Sequence, residues 1–281
     1  MSLADLHIHS NNSDGSDSIK NLAKIIENSG IKIFALTDHD TVSGCEEMKK
    51  IISSEIKFLP SIELTCRGED IKCHILGYNC DYKNGNLLKL IEKGKILRKQ
   101  KLETRINYLK EVWNIVLTQE ELDWLYSRKS VVKTHIANIL VKRNLADDNV
   151  SAMKKYLDGC KSGDTRFSIE ESIKTILDAG GIPVWAHPLG GEGEEHDSAE
   201  IFLPKLEKMI NYGIQGLECY YSRYSQEEAS FLARVAQENN LLISGGSDYH
   251  GSNKDIPIGK LSSDGKKINL ENLTVLKKLV Y

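Results

Sequence analysis

Six of the eight histidines in this 281-residue chain fall at or near the ends of short apolar runs, mostly beside acids. His7 and His9 come first, in Asp5-Leu6-His7-Ile8-His9. On a strand, residues two apart point to one face, so both imidazoles can grip one ion. Asp14 follows in a Ser/Asn/Gly-rich stretch, and Thr37-Asp38-His39-Asp40 closes the next apolar run. Glu63 closes the third, His74 lies on the fourth, His187 follows Ile182 to Ala186, and Asp248 and His250 end the last. A single histidine or acid so placed is commonly a satisfied core group or a helix cap. Nine together are harder to dismiss, because buried imidazoles and carboxylates are costly without cations to pair with. The set therefore predicts several metal ions. Mixed imidazole and carboxylate donors suit Zn, Mn or Fe, and a carboxylate between two ions can bridge them.

The elements that must position these groups are legible in the apolar spacing. Residues 4–9, 31–37 and 58–65 read as strands, with helices over 19–29 and 42–54 between them. Gly30 sits where a left-handed helix C-cap is expected, and Thr41 can cap the second helix. The alternation returns after residue 168, with helices over 169–179, 199–211 and 226–239 and strands over 182–186, 214–220 and 241–245. Parallel strands joined by crossover helices are the simplest arrangement, and in an α/β barrel their C-terminal ends share one rim. Residues 82–167 differ: Leu87, Leu90, Ile91, Leu102, Ile106 and Leu109 keep helical spacing with no convincing strand. This predicts an inserted helical subdomain over 82–167, covering the site built by 1–81 and 168–281. Gly190 to Asp197, rich in Gly and acids, reads as a rim loop.

Composition narrows the function classes. With 37 Lys and Arg against 40 Asp and Glu, the net charge of -3 cannot hold a long nucleic acid by charge alone, so phosphate recognition must be local. No stretch approaches the roughly 20 apolar residues of a membrane span, and no basic start and apolar run marks a secretory signal. The six cysteines show no CxxC pairing. The chain reads as cytoplasmic and soluble, with no membrane partner.

These residues resemble the polymerase and histidinol phosphatase (PHP) superfamily of metal-dependent phosphoesterases. The matching pieces are Asp5-Leu6-His7-Ile8-His9-Ser10, Ser13-Asp14-Gly15, Leu36-Thr37-Asp38-His39-Asp40-Thr41, Ile62-Glu63-Leu64, His74-Ile75-Leu76-Gly77-Tyr78, Ala186-His187-Pro188 and Ser247-Asp248-Tyr249-His250-Gly251. Within the superfamily the chain is most similar to the branch containing nucleoside 3',5'-bisphosphate phosphatases and enzymes that trim short RNA. Asp14 stands where other members carry a third His, and Lys133-Thr134-His135-Ile136-Ala137 resembles that branch's basic-x-His-x-Ala stretch, with Lys133 where Arg is usual.

The resemblance implies an α/β fold, a distorted (β/α)7 barrel with the helical insertion, and two or three divalent metal ions (Mn, Zn or Fe). His7, His9, Glu63 and Asp248 would hold one ion, Glu63 with His74 and His187 a second, and Asp14, His39 and His250 a third. It further implies hydrolysis of a phosphomonoester on a small nucleotide or short oligoribonucleotide by a metal-activated water, with Asp14, His39, Glu63 and His250 in the catalytic set. His250 or His39 are candidates to protonate the leaving group, and Asp38 and Asp40 to orient ligand imidazoles. A second substrate phosphate would fall to Arg98, Arg105, Lys133 and His135, since guanidinium and ammonium groups match phosphate oxygens. Histidinol phosphate hydrolysis and a non-catalytic module of the same family are the rival readings. An amidohydrolase would usually carry a metal-bridging Lys, which cannot be placed here.

Overall fold

The computed structural model describes residues 2–128, 131–161 and 166–280. It is a mixed α/β structure whose strands fall in two sheets. The first is parallel, in the order β1 (Ala4–Ile8), β2 (Ile33–Leu36) and β3 (Lys57–Pro60). Helices α1 (Ile19–Ser29) and α2 (Cys45–Ile51) make its crossovers. In α1 the buried Ile19, Leu22, Ala23 and Ile26 repeat at helical spacing, the Ser18 hydroxyl accepts the Asn21 N–H, and Gly30 closes the helix at φ 82°. Thr41 does not cap α2, which begins after Gly44; its hydroxyl accepts the Ser43 N–H instead.

The second sheet departs from the all-parallel expectation. The run over 58–65 divides at Ser61 into β3 and β4 (Ile62–Arg67), and β4 turns back antiparallel into β5 (Lys72–Tyr78) through a tight turn closed by the Gly68 N–H on the Ile71 carbonyl at 2.8 Å. The strand order is β6 (Phe167–Ser168), β4, β5, β7 (Ile182–Trp185), β8 (Gly216–Tyr221) and β9 (Leu242–Gly246), with β5 also antiparallel to β7. Helices α7 (Ile169–Asp178), α8 (Ala199–Asn211) and α9 (Gln226–Glu238) link the later strands, and α10 (Leu276–Leu279) ends the described chain. The two sheets meet twice: Ile8 bridges to Tyr249 beyond β9, and His39 beyond β2 bridges to Glu63 on β4.

The remaining helices are α3 (Gly85–Trp113), α4 (Gln119–Ser127), α5 (Lys133–Lys142) and α6 (Asn149–Tyr156). Leu87, Leu90 and Ile91 at the start of α3 join the main core, while Leu102 and Leu109 farther along pack with Leu125, Ile136, Leu140 and Tyr156 in a separate one. One continuous 29-residue helix thus ties the two cores together. At its middle, Gly94 admits Phe167: a Cβ there would lie 2.4 Å from the ring. Among the described residues no helix is long and apolar enough to cross a membrane.

Candidate metal centre

The nine candidate ligands converge. Glu63, fully buried on β4, is the hub. Its Oε2 lies 3.2 Å from His7 Nε2, His9 Nε2 and His39 Nδ1. Its Oε1 lies 3.0 Å from His74 Nδ1 and 3.5 Å from His187 Nε2. Asp248 Oδ1 stands 3.5 Å from His7, 3.3 Å from His9 and 3.4 Å from His250. Asp14 Oδ1 stands 3.1 Å from His250 Nε2, and its Oδ2 3.8 Å from His39 Nε2.

Strand direction explains how these groups reach one rim. His9, His39, Asp248 and His250 lie at or just past the C-terminal ends of parallel strands. His74 sits near the start of β5, but β5 runs antiparallel and pairs His74 with Thr65 at the far end of β4, so its start shares the rim. Close approach of β9 to β1 depends on Gly246, where a Cβ would lie 2.1 Å from the His7 Cβ.

The donors fit cations. His7 Nε2, both His9 nitrogens, Asp14 Oδ1, His39 Nδ1, both Glu63 oxygens and His74 Nδ1 are buried with no hydrogen-bond partner. Unpaired polar atoms of this kind are costly inside a protein, and a bound cation removes the cost. Three groups of ligand atoms lie mutually within 4.8 Å: His9, Asp14, His39 and His250; His7, His9 and Glu63; His39, Glu63 and His74. Burial would raise Glu63, yet the imidazoles of His39, His7 and His74 hold it well below the carboxylate range. Burial would lower His9, but Asp248 and Glu63 lift it to about 9. His39 is pushed down to about 4 by burial, which Glu63 and Asp14 only partly offset.

An outer layer orients the donors, and much of it escapes sequence reading. Glu218, fully buried on β8, takes the His7 Nδ1–H at 2.9 Å and the His187 backbone N–H at 2.8 Å. In the neutral ring that a cation would require, the first bond leaves the His7 Nε2 lone pair facing the cluster. His250 Nδ1 donates to the Asp248 carbonyl at 2.8 Å, which turns His250 Nε2 toward Asp14. Asp248 Oδ2 is held by Lys254 Nζ at 2.6 Å and the Tyr221 hydroxyl at 3.1 Å. Neither Asp38 nor Asp40 plays the orienting part expected of it. Asp38 accepts the Ser10 N–H and the Ser10 and Ser13 hydroxyls, pinning the loop that carries Asp14. Asp40 accepts Thr65 N–H at 2.8 Å and Thr65 Oγ1 at 3.0 Å, and pairs with Arg98. A lone acid in the apolar run over 214–220 was the available sign of Glu218; nothing local marks Lys254.

The helical segment supplies cations to the same cleft. A cavity of about 340 Å³ has Asp14, His39 and His74 on its lining together with Arg98, Arg105, Lys133 and Arg166. Arg98 is buried rather than a solvated helix-face charge, and Lys133 pairs with Asp158. Arg105 keeps a buried, unpartnered Nε. His135 is placed differently from its expected substrate role. It is buried, accepts the Val132 N–H at 3.0 Å at the start of α5, sits edge-on to Trp124, and does not line this cavity. The reason is local: at the third position of a helix whose N-cap is Val132, the imidazole accepts the N-cap's own backbone N–H, the part a Glu or Gln plays there in a capping box.

A profile of the PHP domain family matches residues 5–172. A 5'-3' exoribonuclease of Haemophilus influenzae is 30% identical over 264 residues, covering 91% of this chain and 93% of that protein. A 3',5'-nucleoside bisphosphate phosphatase of Chromobacterium violaceum is 27% identical over 264 residues, covering 89% and 88%. A solved Chromobacterium violaceum structure, described as an amidohydrolase with bound sulfate and no metal, superposes with a TM-score of 0.78 at 25% identity over 91% of this chain and 90% of that one.

Proposed function

Because the chain belongs to the PHP domain family and is a metal-dependent phosphoesterase, we propose that it hydrolyses phosphomonoesters of small nucleotides, such as a nucleoside 3',5'-bisphosphate, or of short oligoribonucleotides. One observation carries this reading: unpartnered imidazole and carboxylate atoms and a cationic wall line a single cavity. The two sheets, joined at Ile8–Tyr249 and His39–Glu63, support reading the strands as a distorted (β/α)7 barrel. Six cysteines unpaired in the structure fit a cytoplasmic location.

His7, His9, Glu63 and Asp248 would hold one ion, Glu63, His74 and His187 a second, and Asp14, His39 and His250 a third, with Mn, Zn or Fe suited to these donors. When bound, such cations neutralise phosphate charge and bring the ionisation of water near neutral pH. The chain's own residues do the rest. Glu218 and the Asp248 carbonyl fix imidazole tautomers, so that lone pairs rather than N–H groups face the cluster. Lys254 and Tyr221 hold Asp248 in one orientation. His250 gives its Nδ1–H to the Asp248 carbonyl and turns Nε2 to Asp14, and His39 Nδ1 lies beside Glu63 with no hydrogen-bond partner, which suits ligands better than proton donors to a leaving alkoxide.

Arg105, with Lys133 and Arg98 beside it, would take a second phosphate. The same wall disfavours histidinol phosphate, whose amine is a cation. An ionised hydrogen bond to phosphate contributes about 1.5–3 kcal/mol, so Arg105→Ala should lower kcat/KM for a nucleoside 3',5'-bisphosphate roughly 10- to 150-fold. An aryl phosphate with no second phosphate should lose much less. Phosphate release from both esters by Mn-loaded protein, with histidinol phosphate alongside, tests the reading. Equal losses on both esters would make Arg105 a support of the fold, and turnover of histidinol phosphate alone would favour the rival substrate.

A further inference from the structure

The segment over 190–197 leaves β7 just after His187 and has two hinges that glycine adopts most freely, Gly190 at φ 132° and Gly193 at φ 76°. Its ends are fastened. The Tyr224 hydroxyl accepts the Leu189 N–H at 2.8 Å and donates to the Gly190 carbonyl at 3.2 Å, and the Asp197 N–H donates to the Leu189 carbonyl at 2.7 Å. His196 pairs with Glu228 on α9, and Asp197 with Lys205 on α8. Glu194 spends its carboxylate on the Gly191 N–H at 2.9 Å. Glu192, between the two hinges, turns instead toward the candidate ligands.

Glu192 meets two cations. Its Oε1 pairs with Arg223, and its Oε2 lies 3.8 Å from Lys254 Nζ. Lys254 is the shared group, since its Nζ also lies 2.6 Å from Asp248 Oδ2. Asp248 presents its other oxygen, Oδ1, to His7 at 3.5 Å, His9 at 3.3 Å and His250 at 3.4 Å. Charge therefore alternates from the cluster out to the loop, through Asp248, Lys254, Glu192 and Arg223. A second route joins the same ends: the Tyr221 hydroxyl donates to Asp248 Oδ2 at 3.1 Å, and its ring stands 5.0 Å from that of Tyr224, which fastens the loop. Asp248 at φ 57° and His187 at φ 29° have left-handed backbones, so their surroundings rather than local preference hold them.

The alternation sets up a competition, because Lys254 can give its charge to Asp248 or to Glu192. A cation at Asp248 Oδ1 draws on the carboxylate's charge and lessens its pull on Lys254, which leaves more of the ammonium to Glu192. The loop is then held more firmly. Linkage makes the effect mutual: the factor that the cation contributes to holding the loop, the loop returns to holding the cation.

We propose that Glu192 is a positioning residue of the metal centre: by competing for Lys254 it leaves the Asp248 carboxylate to a cation, and the loop over 190–197 and the loaded cluster stabilise each other. The inference rests on the reading of Asp248 as a metal ligand and adds to it an exposed residue outside the ligand set.

The test is Mn²⁺ affinity of the full chain, measured by competition with a chelator, in a double-mutant cycle of Glu192→Gln and Lys254→Met. Glu192 is exposed, so folding is not at stake in the first change. Glu192→Gln should weaken Mn²⁺ binding about 2- to 5-fold, the span of a partly exposed ion pair. In the Lys254→Met background the same change should have no effect. Hydrogen exchange gives a second reading: the amides of 190–197 should slow on Mn²⁺ addition, by a factor that shrinks in Glu192→Gln as much as the affinity does. Unchanged affinity in Glu192→Gln overturns the proposal, and so does an equal loss in both backgrounds, which would mean that Glu192 does not act through Lys254. If the unsubstituted protein binds no Mn²⁺, the metal-centre reading itself has failed and takes the proposal with it; Mn²⁺ binding indifferent to Glu192 overturns the proposal alone.

Discussion

Glu63→Ala is expected to cut phosphate ester turnover to below about a thousandth of the unsubstituted rate and to lower the bound metal, because one carboxylate serves both halves of the cluster. Its two oxygens face five imidazoles, and no neighbouring side chain can take their place. Loss of the charge also leaves those imidazoles without the anion that offsets their burial. Asp248→Ala should behave similarly. Replacing an outer partner such as Glu218 should do less, in line with the roughly 10- to 100-fold losses typical of groups that act through a ligand. Elemental analysis alongside phosphate release checks both parts. Turnover at the unsubstituted rate by metal-stripped Glu63→Ala protein would sink the mechanism.

Asp5→Ala should cost about 3–5 kcal/mol of folding stability, the largest structural effect expected of a single change near the site. Asp5 is fully buried and accepts four hydrogen bonds: from the Ser247 N–H at 2.9 Å, the Ser247 hydroxyl at 2.6 Å, the Gly259 N–H at 2.7 Å and the His7 N–H at 3.2 Å. These tie β1 to the segments that follow β9 across more than 240 residues of chain. Alanine leaves three buried backbone N–H groups without an acceptor, and each costs about 1–3 kcal/mol before any relaxation. Urea unfolding at a fixed Mn²⁺ concentration checks this, through a lower midpoint at unchanged slope. A loss under about 1 kcal/mol would mean that water or a backbone shift replaces the carboxylate.

The candidate ligands were legible as a converging set because metal chemistry restricts residue type and strand periodicity restricts spacing. His7-x-His9 needs only the alternation of a strand to put two imidazoles on one face. Helices α1 and α8 were equally plain, each matching its expected span. The antiparallel turn between β4 and β5 was not, because a strand's apolar pattern carries no direction, and the crossover rule favoured parallel pairing. Glu218 and Lys254 lie 211 and 6 residues from the groups they hold, and only the folded chain shows what a buried acid or lysine touches. His135 shows the converse limit: a motif-like context pointed to substrate, while the demand of a helix start for an acceptor took the side chain inward.

Titration of chelator-stripped protein with Mn²⁺, read as phosphate release from a nucleoside 3',5'-bisphosphate, tests the central claim most directly. Nine converging donors with unpartnered buried atoms predict no release from the stripped protein and recovery that saturates at about two to three equivalents of metal. Release that is the same with and without Mn²⁺, or none at any metal concentration, would contradict it.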